Sequence, residues 1–295
     1  MLSFNFRVYY LSEVNDMKIG FIGAGKVGFS LGKYLAEKGM DISGYYSRSE
    51  VSAHEAAEFT GSELFLSPER LIINSDAVFI TVPDGEIKNI YLSLPKELLC
   101  GKQLCHCSGA MSAEEAFPGI AECGAKGTSV HPLFPVSSRM ESYKELGNAF
   151  FCIEGDCADE WSSIFSSVGN HTRIISSGIK SRYHAACSVA SNLVCGLIEE
   201  SIGLLEQCGF NEKEALTALE PLVICNIRRI FAVGPTAALT GPVERNDVST
   251  VKKHLSCISG DIDVNVYRSV TKKLAEMAQR RHPEADYTEM NDLIR

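Results

Sequence analysis

Residues 18–48 constrain this chain more than any other stretch. They read as a short apolar run, three glycines, an apolar-periodic segment ending at Gly39, and a second apolar run closing on Tyr46, Ser47, Arg48 and Ser49. The first run has the unbroken apolar character of a parallel strand buried on both faces. Gly23, Gly25 and Gly28 follow at the spacing G-x-G-x-x-G. Each has a mechanical reason. The first permits a tight turn, the second a close approach of backbone to a pyrophosphate, and the third close packing of helix on strand. Val27, Leu31, Tyr34, Leu35 and Lys38 then recur at helical spacing, and Gly39 is placed as a terminator. A helix N-terminus beside glycines offers unpaired N–H groups and a positive dipole end to a phosphate. With 24 glycines in the chain the spacing alone could arise by chance. The order strand, glycines, helix, strand is what predicts a dinucleotide site, held by Gly23, Ala24, Gly25, Lys26, Val27 and Gly28.

The end of the second strand selects the dinucleotide. An acidic residue about 20 positions beyond the glycines would hold the ribose 2′-hydroxyl of NAD. Here that region is Ser47-Arg48-Ser49, with no acid at the strand end. A guanidinium flanked by hydroxyls suits a 2′-phosphate, so NADP(H) is expected over NAD(H).

Composition bounds the partners. The 295 residues leave room for two domains. A net charge of −9 with no basic block argues against nucleic acid or an anionic membrane. No apolar run is expected to reach the length of a membrane span. Eleven scattered cysteines without a cleavage pattern suit a reducing, cytoplasmic setting. Cys105-His106-Cys107 resembles a metal cluster only superficially. Alternate strand residues face opposite ways, so no metal site is expected. Residues 1–16 read as an N-terminal extension, and Met17, just before the first strand, can serve as the natural start.

Strands alternating with helices predict an α/β, doubly wound parallel sheet over residues 17–176. Its strands are expected at 76–82, 103–107, 128–131, 150–154 and 172–175. From residue 177 the texture turns helical, giving an all-α substrate and dimerisation domain over 177–295, with candidate helices at 180–208, 211–233, 247–258 and 261–281.

Ligands of open parallel sheets lie over the carboxyl ends of the strands. Thr81-Val82-Pro83 closes one strand and is expected to line the cofactor. Asp84 caps the following helix or contributes to the same wall. Ser108, followed by Gly109, stands where a nicotinamide ring would lie and is expected to touch both cofactor and substrate. His131 ends a third strand and is either a substrate contact or a structural histidine. Hydride addition to a carbonyl leaves a developing alkoxide, which needs a proton and nearby positive charge. Lys180 and His184, four apart on one helix face, can supply these, and Asn192 can orient the reacting group. The loop of residues 239–247 either closes over substrate or merely connects.

These pieces together resemble a family that pairs an N-terminal Rossmann-like domain with a C-terminal helical domain of unknown function. The resemblance spans residues 18 to about 274. It rests on Ile19-Gly-Phe-Ile-Gly-Ala-Gly-Lys-Val-Gly28, Tyr46-Ser-Arg-Ser49, Thr81-Val-Pro-Asp84, His106-Cys-Ser-Gly-Ala110, His131-Pro-Leu133, Tyr183-His-Ala-Ala186, Ala190-Ser-Asn192 and Leu239-Thr-Gly-Pro-Val243. The architecture is similar to the 6-phosphogluconate dehydrogenase-like group, which includes β-hydroxyacid dehydrogenases, ketopantoate reductase and pyrroline-5-carboxylate reductase. That resemblance implies an NADP-dependent oxidoreductase acting on a small oxo, hydroxy or imino acid, commonly as a homodimer. In that resemblance, β-hydroxyacid dehydrogenases and ketopantoate reductases place a catalytic lysine early on the first long helix and an asparagine four residues later. Lys180 fits the first position, while His184 occupies the second. A cofactor-binding sensor or scaffold without turnover is the alternative.

Overall fold

The computed structural model describes residues 17–295, so the expected extension over residues 1–16 lies outside the described residues. Contacts divide the chain into two compact units, one running to Val189 and one from Ala190 to Arg295.

The first unit alternates strands and helices. In order these are β1 (Lys18–Ile22), α1 (Lys26–Glu37), β2 (Asp41–Tyr46), α2 (Glu50–Thr60), β3 (Glu63–Leu64), α3 (Pro68–Ile73), β4 (Ala77–Ile80) and α4 (Asp84–Ser93). Then come β5 (Gln103–His106), α5 (Ala113–Ala116), β6 (Lys126–Leu133), β7 (Phe150–Gly155), α6 (Ala158–Ser167), β8 (His171–Ile174) and α7 (Lys180–Ala190). The eight strands form one sheet in the order β3-β2-β1-β4-β5-β6-β7-β8. The first six are mutually parallel, as expected. β7 pairs antiparallel with β6, and β8 runs parallel to β7. The reversal has a simple cause. Only single-turn helices, Ser142–Lys144 and Leu146–Asn148, separate β6 from β7, whereas the parallel step from β7 to β8 carries a full crossover helix, α6.

Both sheet faces are buried, which explains the near-continuous apolar strands. One face packs Phe21, Tyr45 and Phe79 against α1, α2 and α6, the last contributing Trp161. The other packs Ile22, Val78, Ile80 and Leu104 beneath α3, α4 and α5. Local signals set the helix starts. Ser67 accepts the Arg70 N–H ahead of Pro68, and Ser112 forms a reciprocal capping box with Glu115.

The second unit is all-α: α8 (Asn192–Glu206), α9 (Glu212–Val233), α10 (Pro235–Ala238), α11 (Val248–Cys257), α12 (Asp261–Arg281) and α13 (Thr288–Leu293). Val243, Val251, Ala275, Ala278, Tyr287 and Met290 form its core. Asp247 caps α11 by accepting the Thr250 N–H at 3.0 Å. The Gly-Pro loop before it is tied down within this unit. Glu244 accepts His282 Nε2 at 2.8 Å, Tyr287 donates to Glu244 O at 2.8 Å, and Arg281 donates to Leu239 O at 2.9 Å.

Two expectations change. The helix expected over 180–208 is broken at Ser191, and its first part, α7, belongs to the first unit rather than the helical one. The cause is packing, because Lys180 and Tyr183 bond to residues of β6 and of the turn that follows β5. The second change concerns membranes. The helical run Ser177–Glu206 is long and apolar enough to cross one by length and composition. Charges at Lys180, Arg182 and Glu199 hide this when the sequence is scanned for an unbroken apolar run.

Candidate functional site

The glycine turn is assembled largely from backbone. Gly23 sits at φ +110°, in the region that favours glycine, and its N–H reaches Tyr46 O at 2.7 Å. Thr81 donates its hydroxyl to Gly23 O at 2.8 Å, tying the end of β4 to the turn. A Cβ on Gly28 would overlap both Thr81 Oγ1 and Gly23 O. One on Gly25 would meet nothing nearer than Thr81 O at 3.9 Å. Gly28 is therefore fixed by packing, whereas nothing in the fold demands a glycine at 25. Gly25 is also the N-cap of α1 and provides no side-chain cap, so the first N–H groups of that helix remain open to a ligand.

Gly25, Lys26, Val27, Thr81, Val82, Pro83, Asp84, Cys107 and Ser108 share a cleft of about 380 Å³, closed on one side by Val136. Its place over the carboxyl ends of β1, β4 and β5 matches the position expected for a dinucleotide. Gly23 and Ala24 form its floor turn without lining it. Ser47, Arg48 and Ser49 follow β2. Arg48 is exposed and makes no ion pair or hydrogen bond among the described residues, while Ser49 caps α2 through the Ser52 N–H at 3.3 Å.

Ser108 is the hub of the strand ends. It donates its hydroxyl to Asp84 Oδ2 at 2.5 Å and accepts the Met111 N–H at 3.1 Å. Its own N–H reaches His106 Nδ1 at 3.1 Å. His106 is fully buried, and its Nε2 has no partner among the described residues. Burial, helped by the Lys180 charge, pushes this imidazole down to about 3, so it stays neutral. Burial likewise pushes the Cys107 thiol up to about 12, which makes it an unreactive wall of the cleft.

Lys180 opens α7 and is only 2% exposed. Its ammonium donates to Ser108 O at 2.9 Å and to Ser129 Oγ, while Ser129 donates to Ser108 O at 3.3 Å. Burial lowers the lysine, and the nearby Glu154 carboxylate opposes that shift. The cation is thus turned inward and braces the Ser108 turn from behind, instead of standing open at a cleft wall.

One turn on, Tyr183 Oη lies 2.7 Å from His131 Nδ1 at the end of β6. The His131 ring meets those of Tyr183 and His184 edge-on, at centroid distances of 5.6 and 6.3 Å. Gly109 makes this possible, since a Cβ there would lie 2.6 Å from His184 Cδ2 and 2.8 Å from His131 Nε2. Burial, with smaller effects from Lys180 and His184, pushes His131 down to about 4. Ser108, Lys180 and His184 therefore come together as the sequence suggested, with His131 among them. Asn192 opens α8 in the second unit and is exposed. Sequence reasoning passed over Ser129 and Tyr183. The available signals were periods: Ser129 and His131 are two apart on a strand, and Lys180 and Tyr183 are three apart on a helix.

A glycine turn under a helix N-terminus, at the crevice of a parallel sheet, defines a dinucleotide-binding fold. Residues 12–132 match the family model of a Rossmann-like domain, and residues 149–274 match that of a domain of unknown function, DUF2520. The chain is thus similar to a Rossmann-like domain over its first stretch and to DUF2520 over the next. Solved structures extend the likeness over most of its length. It is similar to a protein from Thermotoga maritima, with 27% identity and a TM-score of 0.69 over 90% of this chain and 99% of that one. A proposed NADP oxidoreductase from Bacteroides fragilis shares 21% identity, with a TM-score of 0.67 over 89% of this chain and 99% of its own. A reductive aminase from Aspergillus terreus, solved with NADPH and ethyl-5-oxohexanoate, shares 15% identity, with a TM-score of 0.63 over 95% of this chain and 99% of its own. At such identities the latter two share the fold. No curated protein matches the chain.

Proposed function

We propose that this protein is an NADP(H)-dependent oxidoreductase acting on a small oxo, hydroxy or imino acid. One observation carries the reading: the cleft of about 380 Å³ runs from the open N-terminus of α1 to Ser108 at the end of β5. Such a cleft suits a pyrophosphate at one end and a reacting ring at the other. NADP(H), when bound, supplies or accepts a hydride. The chain's own residues do the rest. The N–H groups at Lys26 and Val27 bind the pyrophosphate, and Ser47, Arg48 and Ser49 bind the 2′-phosphate. Thr81, Val82 and Pro83 wall the ribose. The similar reductive aminase and the proposed oxidoreductase support a cofactor of this kind.

Ser108 orients the reacting group, its hydroxyl fixed by Asp84. Lys180 acts through Ser108 by holding its carbonyl, and His184 packs beside Gly109. Asn192, the remaining residue expected from sequence, belongs to the second unit. A second copy of the chain is the expected partner. Leu193, Leu197, Leu222 and Phe231 of α8 and α9 expose apolar surface, Phe231 to 85%.

Thermal-shift titration with NADPH and NADH tests the reading. At a hundred times its dissociation constant a ligand stabilises by ~2.7 kcal/mol. A shift with NADPH exceeding that with NADH is expected, followed by NADPH oxidation with a small oxo or imino acid. No shift with either removes the oxidoreductase reading. A shift without turnover favours a cofactor-binding sensor.

A further inference from the structure

We infer that Tyr183 and His131 form a proton relay, the phenol donating to Nδ1 and the imidazole presenting its Nε2 proton beside Gly109 and Ser108. The inference rests on the reductase reading above and names the group that completes the reaction.

Geometry excludes the other donors that the first unit offers. Lys180 is only 2% exposed and its ammonium is turned inward to Ser108 O and Ser129 Oγ. His106 is sealed in the sheet with no exposed surface. His184 turns a ring carbon, Cδ2, toward Gly109. His131 alone turns a ring nitrogen to that spot, and its Nε2 has no protein partner among the described residues.

A neutral imidazole carries one proton and one lone pair, and the protonated nitrogen is set by what the other nitrogen bonds. Tyr183 is the bonded partner of Nδ1, at 2.7 Å. Burial pushes the phenol up, so at rest it keeps the proton it has to give, while His131 remains neutral. A phenol donating to Nδ1 leaves the proton on Nε2. The electron count then closes. Hydride addition to the carbon of C=O or C=N leaves an electron pair on oxygen or nitrogen. That pair takes the Nε2 proton, Nδ1 takes the phenol proton, and water reprotonates the phenolate. The substrate gains one hydride and one proton, and the imidazole ends neutral as the other tautomer, returning when the proton shifts back.

The test is long-range ¹⁵N–¹H correlation on histidine-labelled protein, with His131 assigned by difference against His131→Gln. The expected spectrum at pH 7 shows His131 as the Nε2–H tautomer. Tyr183→Phe should move the Nδ1 resonance while leaving the NADPH thermal shift intact. A His131 in the Nδ1–H form, or an Nδ1 resonance indifferent to Tyr183→Phe, overturns the relay. Turnover is read beside it as NADPH oxidation with glyoxylate or 1-pyrroline as probe acceptor. There Tyr183→Phe should lower kcat by about 100-fold with little change in KM, and an unchanged kcat overturns the relay. If wild-type protein shows no NADPH shift, the reductase reading fails by that measurement, while the tautomer still reports on the pair.

Discussion

The two ends of the cleft are built on different principles. At the glycine end, the ligand-facing groups are backbone N–H groups, and the residues that shape them lie within a few positions of one another. Thr81 is the main long-range contribution, through its hydroxyl on Gly23 O. At the Ser108 end the groups are side chains gathered from the end of β5 and from β6, α4 and α7, Ser108 and Lys180 alone lying 72 positions apart. At the glycine end Gly23 and Gly28 leave no room for an added Cβ, though Gly25 does, whereas the Ser108 end depends on a buried charge having its partners. One end is thus sensitive to volume and the other to polar satisfaction.

Substitutions can separate the two. The largest effect is expected from Lys180→Ala, which leaves a cavity and strips a donor from Ser108 O and Ser129 Oγ. The cost is about 3 kcal/mol of folding stability, measured by urea unfolding. A near-neutral result would mean that the Ser108 turn holds itself. Next comes the pair Gly28→Ala and Gly25→Ala. The former forces a Cβ against Thr81 Oγ1 and Gly23 O and should cost about 2 kcal/mol. The latter has room in the protein and should leave stability nearly unchanged while abolishing the NADPH shift. If Gly25→Ala keeps cofactor affinity, the α1 N-terminus does not face the pyrophosphate.

A smaller effect is expected from Arg48→Glu, whose exposed guanidinium has no competing partner among the described residues. Losing charged hydrogen bonds should weaken NADPH about tenfold or more and spare NADH, read by calorimetry. Equal loss for both cofactors would remove Arg48 from the specificity argument.

The mildest effect is in pH. His131 and His106 are held below the ordinary 6.5, at about 4 and about 3, so below 6.5 the unfolded chain binds protons that the folded chain refuses. Their contribution is complete above that value and is lost as pH falls toward the folded values. From pH 7 to 6 the loss should be on the order of 1 kcal/mol, seen as a falling Tm. His131→Gln should flatten part of that slope, and a slope unchanged by this variant would mean that the ring is solvated.

How much of this was legible in the chain follows the same division. The places of Gly23, Gly25, Gly28 and Thr81 were readable because a strand end, a turn and a helix N-terminus are local objects. The parallel sheet was readable from its apolar runs, and the antiparallel turn of β7 was not, because it depends on what the linking segment fails to form. Lys180 was found by type and position, yet its inward turn was invisible. A lysine's direction is set by which carbonyl and hydroxyl lie across from it, here Ser108 O and Ser129 Oγ.

The sequence by itself determined the dinucleotide-binding half, the helical character of the rest, and the residue types available at the strand ends. Short-range periodicity and steric necessity at glycine carry that information. Only the tertiary structure decided that α7 belongs with the sheet, that Lys180 braces while His131 and Tyr183 pair, and that Gly109 admits two rings. Those outcomes depend on distances between residues far apart in the chain, and such distances exist only once β5, β6 and α7 have packed.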